Sequence, residues 1–200
     1  MKRILTISRQ FGSRGRTIGE MVAKELGIPL YDREIIRRTS ETSGLEEEFI
    51  EERSEQGYGW FERVISSRNL SFGSKSPEEY IWEKQCKVIT DLASKGSCVF
   101  VGRCADWVLK GKTDLLDAFI YAPTEFRIKT ASELYDVGDI SADKVAKFVR
   151  EKDKRRAAYY KFFTDREFGD IKNYDVCLNS GVLGIENCAA VLIDLFKNKK

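Results

Sequence analysis

The chain has 200 residues, which is room for one α/β domain with an insertion or for two small domains. Lys and Arg number 34 against 32 for Asp and Glu, and this near balance argues against a surface that is basic throughout, so any basic site must be local. The absence of histidine excludes Ser-His-Asp and Cys-His nucleophilic catalysis, histidine general bases and zinc sites with histidine ligands.

The N-terminal part predicts a strand, a glycine-bearing loop and a helix. Residues 3–8 (RILTIS) are rich in β-branched side chains, which favours a short buried strand. Apolar residues then recur at helical spacing from about residue 16 to residue 26, and Gly27 ends that helix. A short extended stretch to Asp32 and another helix from Arg33 follow. This order of elements is typical of the opening of a nucleotide-binding α/β fold.

Residues 43–75 differ in character, because they are charged, glycine-punctuated and aromatic without a clean strand pattern. We expect a mobile helical insertion here. Its four aromatic residues predict a small satellite core, with stacking on a base as the alternative: Tyr58, Trp60, Phe61 and Phe72. A helix is predicted next, up to about Lys95, because Ser76, Pro77 and Glu79 are typical of a capped helix start.

The second half of the chain continues the alternation of strands and helices. Strands are predicted at residues 97–102, 115–122 and 175–180. Pro123 starts one helix, Ser141 caps a long one, and residues 184–196 form a closing amphipathic helix. The alternation predicts a three-layer α/β/α fold with a mostly parallel sheet of about five strands.

The cysteines and the apolar runs of the sequence indicate the cellular compartment of the protein. No two of the five cysteines form a CxxC pair and their number is odd, so we expect free thiols in a reducing cytosol. The apolar run at residues 4–7 is too short for a signal peptide, and no stretch has the length of a membrane span. A soluble, cytoplasmic protein without a membrane partner is therefore expected.

The loop after the first strand carries the clearest functional signal, because ligands of open α/β sheets bind beyond the carboxyl ends of the strands. Gly12 and Gly15 allow backbone N–H groups to turn toward one point at the start of a helix. Arg9, Arg14 and Arg16 cluster in the same stretch, where the helix dipole and their mutual repulsion disfavour cations. A bound anion reverses both penalties. The loop therefore predicts phosphate binding, with a solvated basic loop as the alternative.

Residues 7–36 (ISRQFGSRGRTIGEMVAKELGIPLYDREII) resemble the opening of the cytidylate-kinase-like branch of the P-loop nucleoside monophosphate kinases. Residues 26–32 (LGIPLYD) match the LG-x-P-x-x-D motif of that family. The loop departs from the family's GxxxxGK[ST] pattern, because no lysine is present. Gly15, Arg16 and Thr17 can be set against G-K-[ST], which puts Gln10 where the first glycine belongs, whereas an ungapped alignment counted back from Asp32 puts Gly15 at the lysine position. In either alignment an arginine must act on the β- and γ-phosphates, and Arg16 is the favoured one. The resemblance covers most of the chain, but only residues 5–36 carry specific motifs.

Two later segments extend the resemblance. Gly102, Arg103 and Asp106 are similar to a G-R-D segment whose arginine contacts the acceptor phosphate. The alternative is an ion pair of Arg103 with Asp106 or with another carboxylate. Residues 149–156 (VREKDKRR) are similar to an arginine-rich lid helix that closes over the donor phosphates. A solvated helix with ion pairs along it is the alternative.

The resemblance implies a role for each matched position. The catalytic arginines are Arg16, Arg103, Arg150 and Arg155. The residues implied to bind the donor nucleotide, with Thr17 also a ligand of Mg²⁺, are Gly12, Ser13, Arg14, Gly15, Thr17, Lys154, Asn179 and Ser180. The residues implied to bind the acceptor are Asp32, Arg33, Arg37 and Asp106. A single domain of residues 1–200 is expected, with an acceptor-binding insertion at about 40–95 and a lid at about 145–172.

The function implied by the resemblance is transfer of the γ-phosphoryl group of ATP, with Mg²⁺, to a nucleoside monophosphate (cytidylate-like) or a related small phosphate acceptor. One alternative is a nucleotide- or phosphate-binding protein with a degenerate loop and no turnover. A second alternative is an RNA-binding protein that uses the arginine clusters, which the balanced net charge disfavours. We therefore expect no nucleic-acid partner, and the oligomeric state is not predicted.

Overall fold

The computed structural model describes residues 3–55, 75–134 and 141–198. Within them, five parallel strands form one sheet in the order β2-β3-β1-β4-β5. The strands are β1 (Arg3–Arg9), β2 (Leu30–Tyr31), β3 (Cys98–Val101), β4 (Asp114–Tyr121) and β5 (Val176–Asn179). The predicted fold class, a parallel sheet of about five strands flanked by helices, is confirmed.

Helices connect the strands and cover both faces of the sheet. They are α1 (Gly15–Leu26), α2 (Arg33–Ser43), α3 (Glu47–Glu55), α4 (Pro77–Lys95), α5 (Ala105–Leu109), α6 (Thr124–Leu134), α7 (Ala142–Thr164), α8 (Ser180–Leu183) and α9 (Ile185–Asn198). A 3₁₀ turn, Ile171–Asn173, precedes β5. No helix in these ranges is long and apolar enough to span a membrane.

The central strand, β1, is buried along its length and pairs with β3 on one side and β4 on the other. Its side chains alternate between the faces of the sheet, as the geometry of a strand requires. Leu5 and Ile7 pack with α1 and α9, whereas Ile4 packs with Phe100 against α4 and α5. Burial on both faces fixes the register of β1, and so fixes where the loop after it leaves the sheet.

Three helix ends were predicted from the sequence; the structure has the expected cap at two of them and lacks the capping hydrogen bond at the third. The Ser76 hydroxyl accepts from the backbone N–H of Glu79, whose carboxylate in turn accepts from the backbone N–H of Ser76. Gly27 ends α1 in the left-handed conformation, at φ 64°. Ser141 occupies the cap position of α7, but its side chain makes no capping hydrogen bond.

Part of the predicted insertion falls within the described ranges. Here α2, α3 and α4 share a small core of Ile36, Leu45, Ile50 and Ile81. The aromatics Tyr58, Trp60, Phe61 and Phe72 lie outside the described residues, so their predicted satellite core is not tested. The boundaries of the acceptor-binding insertion and of the lid likewise stay predictions.

The serines at the cap positions of α4 and α7 allow the stability contributed by one cap to be measured. We expect Ser76→Ala to lower the free energy of unfolding by about 1 kcal/mol, because it removes the acceptor of the Glu79 N–H. Ser141→Ala serves as the control and should cost clearly less, since its hydroxyl caps no N–H group. Urea unfolding followed by circular dichroism measures both values. Equal losses would contradict the assignment of the cap.

Candidate functional site

A cleft of about 590 Å³ lies at the carboxyl edge of the sheet, where β1, β2 and β3 end. Its walls come from the loop after β1, the start of α1, the start of α2, the turn after β3, and α7. Eight of the residues predicted from the sequence to form the site line it together: Gly12, Arg14, Gly15, Arg16, Thr17, Asp32, Arg33 and Arg103.

The loop between β1 and α1 has the backbone of a tight turn. Gly12 has a φ of 79°, and Arg14, directly before the helix, has a φ of 60°, which is uncommon for a residue with a side chain. The N–H of Gln10 donates to the carbonyl oxygen of Ile120 at 2.9 Å, which fastens the start of the loop to β4. The helix that follows has no acidic residue in its first turn. The N-terminus of α1 lines the cleft, and no carboxylate in its first turn offsets the positive end of the helix dipole.

Two side chains, Arg127 of α6 and Asp153 of α7, hydrogen-bond to the backbone of the loop between β1 and α1. The Asp153 carboxylate accepts from the backbone N–H of Phe11 at 2.7 Å and from the Arg127 guanidinium at 2.5 Å. Arg127, nearly buried, also donates to the carbonyl oxygen of Ala122 at 3.1 Å. A Cβ added at Gly12 would lie 2.5 Å from the Arg127 carbonyl oxygen, so only glycine fits there. This packing explains the glycine requirement at position 12 independently of any ligand.

Ser13 and Ser180 lie beneath the loop, and neither residue lines the cleft. The Ser13 hydroxyl donates to the Gln10 and Ile120 carbonyl oxygens, and the Ser180 hydroxyl donates to the Ser13 carbonyl oxygen at 2.7 Å. Both serines are buried. The strand end at Asn179 and Ser180 is also closed by packing, since a Cβ at Gly181 would lie 2.6 Å from Pro123. These hydroxyls therefore hold the loop in place.

Arg14 and Arg16 face acidic side chains. Arg14 donates to Glu133 of α6 at 2.8 Å. Arg16 donates to Glu20 at 3.0 Å, lies 3.5 Å from Asp32, and has a half-exposed side chain. Because these pairs are at least partly open to solvent, each is weak and readily exchanged for a ligand.

The long helix α7 presents different basic residues to the cleft from those predicted. Phe148, Lys152 and Arg156 line it, while Arg150 and Lys154 are exposed elsewhere on the helix and Arg155 is not among the lining residues. Lys154 instead borders a second cavity of about 520 Å³, next to Gln10 and Tyr121. The sequence does indicate which face of α7 lines the cleft, because Lys152 and Arg156 continue the row of the buried Val145 and Val149 at helical spacing.

The turn after β3 brings Arg103 into the cleft and takes Asp106 away from it. Gly102, Arg103 and Cys104 all have positive φ values, 76°, 59° and 53°, so the chain reverses sharply there. Asp106 is buried on α5, where its carboxylate accepts from the Tyr160 hydroxyl at 2.7 Å. Burial raises the pKa of Asp106, and the hydrogen bond from Tyr160 acts in the opposite direction.

Arg37, predicted to bind the acceptor, forms ion pairs along α2 with Glu34 and Glu41 and does not line the cleft. Hydrogen bonds from Arg37 and Arg38 lower the pKa of Glu34 to about 2. Five cleft residues were missed by the sequence analysis in addition to those of α7: Gln10, Phe11, Glu20, Ile36 and Glu51. Glu51 gave no signal, because its place in the cleft depends on how α3 packs against α7.

A metal ion bound by protein ligands alone finds no support in the described ranges, since they contain no group of three carboxylate or thiol side chains close enough to share one. Mg²⁺ commonly takes one or two protein ligands and fills its shell with phosphate oxygens and water. Thr17, Asp32 and Glu20 line the cleft and provide oxygen atoms of that kind. The residues present therefore fit Mg²⁺ brought in by a polyphosphate.

Comparison with known proteins agrees with the fold. The sequence pattern of the cytidylate kinase-like family matches residues 4–182. An uncharacterised protein from Eubacterium ventriosum superposes with a TM-score of 0.74 at 22% identity, covering 98% of this chain and 99% of that one.

Two shikimate kinases are also similar in fold. The enzyme from Bacteroides thetaiotaomicron has a TM-score of 0.58 at 12% identity, covering 99% of this chain and 100% of that one. The enzyme from Acinetobacter baumannii, solved with shikimate, has a TM-score of 0.55 at 14% identity, covering 100% and 95%. At these identities the likeness shows the fold alone. A search of curated proteins finds no match.

Removing the carboxylate behind the loop should destabilise the protein. We expect Asp153→Ala to cost about 3 kcal/mol, because it leaves the nearly buried Arg127 guanidinium without its partner. The double variant Arg127→Met/Asp153→Ala should recover part of that loss. Glu83→Ala, which breaks an exposed ion pair with Lys75, is the control and should cause no comparable loss. A loss no larger than that of the control, in urea unfolding, would contradict the role of Asp153.

The buried Asp106 predicts a pH dependence. Because its pKa in the folded protein lies above the ordinary value of 3.8, the folded state retains a proton that the unfolded chain has lost. Stability attributable to this group is therefore present at low pH and falls as the pH rises above about 4. In Asp106→Asn this fall should be absent, so the variant's unfolding free energy should gain on the wild type from pH 4 to pH 7. Parallel curves across that range would contradict the prediction.

Proposed function

The chain belongs to the cytidylate kinase-like family, and we propose that it is an ATP-dependent phosphotransferase. The reaction is transfer of the γ-phosphoryl group of ATP to a nucleoside monophosphate, cytidylate-like, or to a related small phosphate acceptor. Such a reaction needs positioning and positive charge more than covalent help from the protein. A chain without histidine meets that need with arginines.

One observation carries the proposal: a glycine loop, a helix N-terminus and arginines from three separate elements line the same cleft. Arg16 comes from α1, Arg33 from α2, and Arg103 from the turn after β3. The cleft also lies at the carboxyl edge of a parallel sheet, where ligands of such folds bind. This arrangement supports a ligand with several phosphate groups over a neutral one.

The proposed roles follow from position along the cleft. Gly12 and Gly15 lie in the loop whose backbone and helix end favour the donor phosphates, and Thr17 supplies a hydroxyl toward Mg²⁺. Asp32 and Arg33 lie on the β2 side and are proposed to bind the acceptor, with Arg103 on its phosphate. No general base is required when the acceptor is already a phosphate anion.

The donor nucleoside has space beside the loop. The second cavity, of about 520 Å³, meets the cleft at Gln10 and has aromatic walls from Phe119, Tyr121 and Phe168. Ring faces of this kind favour a flat heterocycle. Lys154 borders this cavity and is proposed to act on the donor, whereas Asn179 and Ser180 do not line it. Arg150 and Arg155 would need α7 to rotate or shift to reach the phosphates.

The alternative, a nucleotide-binding protein without turnover, is favoured by the missing loop lysine and by the pairing of Arg16 with Glu20 and Asp32. Steady-state turnover separates the two. Purified protein is incubated with γ-labelled ATP, Mg²⁺ and a panel of nucleoside monophosphates, with shikimate added because the fold is shared with shikimate kinases. Labelled product with any acceptor supports the enzyme, whereas tight ATP binding without product from the whole panel supports the alternative. A cytoplasmic location, where ATP and Mg²⁺ are supplied, is part of the proposal.

Substitution of Arg103 tests its proposed role in binding the acceptor phosphate. We expect Arg103→Met to lower kcat/KM for the acceptor by about 100-fold, because it removes a two-pronged donor from the phosphate. Arg38→Met removes the same charge outside the cleft, at an ion pair with Glu34, and should change kcat/KM by less than about twofold. Initial rates at varied acceptor concentration measure the effect. Equal rates in the two variants would exclude Arg103 from the site.

A further inference from the structure

One row of side chains on α7 runs from the cleft into the interior of the protein. Lys152 and Arg156 line the cleft, and Tyr160, the next residue along the same face of the helix, is buried. The Tyr160 hydroxyl donates to the Asp106 carboxylate of α5 at 2.7 Å. This hydrogen bond therefore joins the face of α7 that lines the cleft to the helix that follows the turn after β3.

Asp106 comes directly after the turn that brings Arg103 into the cleft, in the first turn of α5. Arg103 and Cys104 both have a left-handed backbone, with φ values of 59° and 53°. This conformation is unfavourable for residues with a side chain and persists only where the surrounding structure holds it. Within the turn, the Ala105 N–H donates to the Gly102 carbonyl oxygen at 3.2 Å. The Asp106 side chain is therefore placed to hold the turn from its far end.

Other contacts strengthen the connection between this turn and α7. The Cys104 side chain is buried in one cluster with Tyr159 and Tyr160. The Arg166 guanidinium, just beyond the end of α7, lies 4.7 Å from the centre of the Trp107 ring of α5. The turn, α5 and the C-terminal half of α7 are thus joined by a hydrogen bond, an apolar cluster and a cation–π contact.

The two adjacent tyrosines of α7 are both buried, but their hydroxyls reach different elements. The Tyr159 hydroxyl donates to the Gln85 side chain of α4 at 3.2 Å, and none of the described residues of α4 lines the cleft. Burial and the neighbouring Asp106 carboxylate raise the pKa of Tyr160 above its usual range, so Tyr160 keeps the proton that it donates. Only the Tyr160 hydroxyl connects α7 to an element that carries a cleft residue.

We infer that Asp106 is a positioning residue, which acts through the Tyr160 hydroxyl to fix the distance between the Arg103 turn and α7 across the cleft. Asp106 itself does not line the cleft. This role rests on the proposed function only in its kinetic consequence, because the groups that it spaces line the proposed active site. Groups from two elements act on one ligand only when their spacing is set, and an error of about 1 Å can cost about 100-fold in rate.

Tyr160→Phe removes the donor of this hydrogen bond and keeps the ring. We expect kcat for phosphoryl transfer to fall at least about tenfold with little change in KM, since misplaced groups weaken transition-state stabilisation more than ground-state binding. Tyr159→Phe is the matched control, because it removes a buried hydroxyl from the neighbouring residue, and it should change kcat by less than about twofold. Thermal unfolding confirms that both variants are folded at the assay temperature. Equal losses of kcat in the two variants would overturn the inference.

The acceptor side of the hydrogen bond gives a second test. Asp106→Asn keeps an oxygen that accepts from Tyr160 and should retain most of kcat, whereas Asp106→Ala removes it and should match Tyr160→Phe. The double variant Asp106→Ala/Tyr160→Phe should be no slower than either single variant, because both changes act on one interaction. Additive losses, or a loss in Asp106→Asn as large as that in Asp106→Ala, would contradict the positioning role. If Asp106→Ala does not fold, Tyr160→Phe and Asp106→Asn decide.

Amide hydrogen exchange tests the positioning role without any activity. The Gly102 and Ala105 N–H groups hold the turn, and they should exchange at least about tenfold faster in Tyr160→Phe than in Tyr159→Phe. Equal exchange rates would remove the positioning role. Faster exchange in a protein that transfers no phosphoryl group to any acceptor would keep the positioning role and remove the proposed enzyme. Phosphoryl transfer with an unchanged kcat in Tyr160→Phe would keep the enzyme and remove the positioning role.

Discussion

The hydrogen bonds of the Asp153 carboxylate are the interaction on which the arrangement of the cleft depends. The carboxylate accepts from the Phe11 backbone and from Arg127, so it joins the loop after β1 to α6 and α7 at one point. A partly buried ion pair of this kind adds little net stability compared with apolar packing, but it fixes geometry because either partner alone is costly to bury. Here it sets the loop, and with it the helix N-terminus, against the basic side chains of α7.

Arginines from several elements line the cleft at the carboxyl edge of the sheet. Arg14 and Arg16 are held by carboxylates at the rim, where solvent weakens each pair. Arg9, Arg103 and Arg156 line the same cleft, and the Arg9 side chain lies against Gly15 and Gly102. A chain with nearly equal numbers of acidic and basic residues can therefore still place several arginines at one edge of its sheet.

Much of the fold could be predicted from the sequence, because β1, β3 and β4 are largely apolar runs and because Gly27 at the end of α1 and Ser76 at the start of α4 mark helix ends. The position of the cleft followed from the rule that ligands bind at the carboxyl ends of parallel strands. The hydrogen-bond partners of individual side chains could not be predicted from the sequence. Asp153 and Arg127 are 26 positions apart, and the buried place of Asp106 depends on Tyr160, which is 54 positions away. The face of α7 that lines the cleft could have been predicted from its buried valines, Val145 and Val149, whereas the arginine-rich segment taken alone does not distinguish one face of the helix from another.

The hydrogen bond from the Phe11 backbone to Asp153 makes the middle of α7 inseparable from the glycine loop. Any swing of that helix large enough to uncover the cleft breaks this bond and exposes the Phe11 amide proton to solvent. Exchange of that single proton with deuterium thus reports how often α7 lifts away.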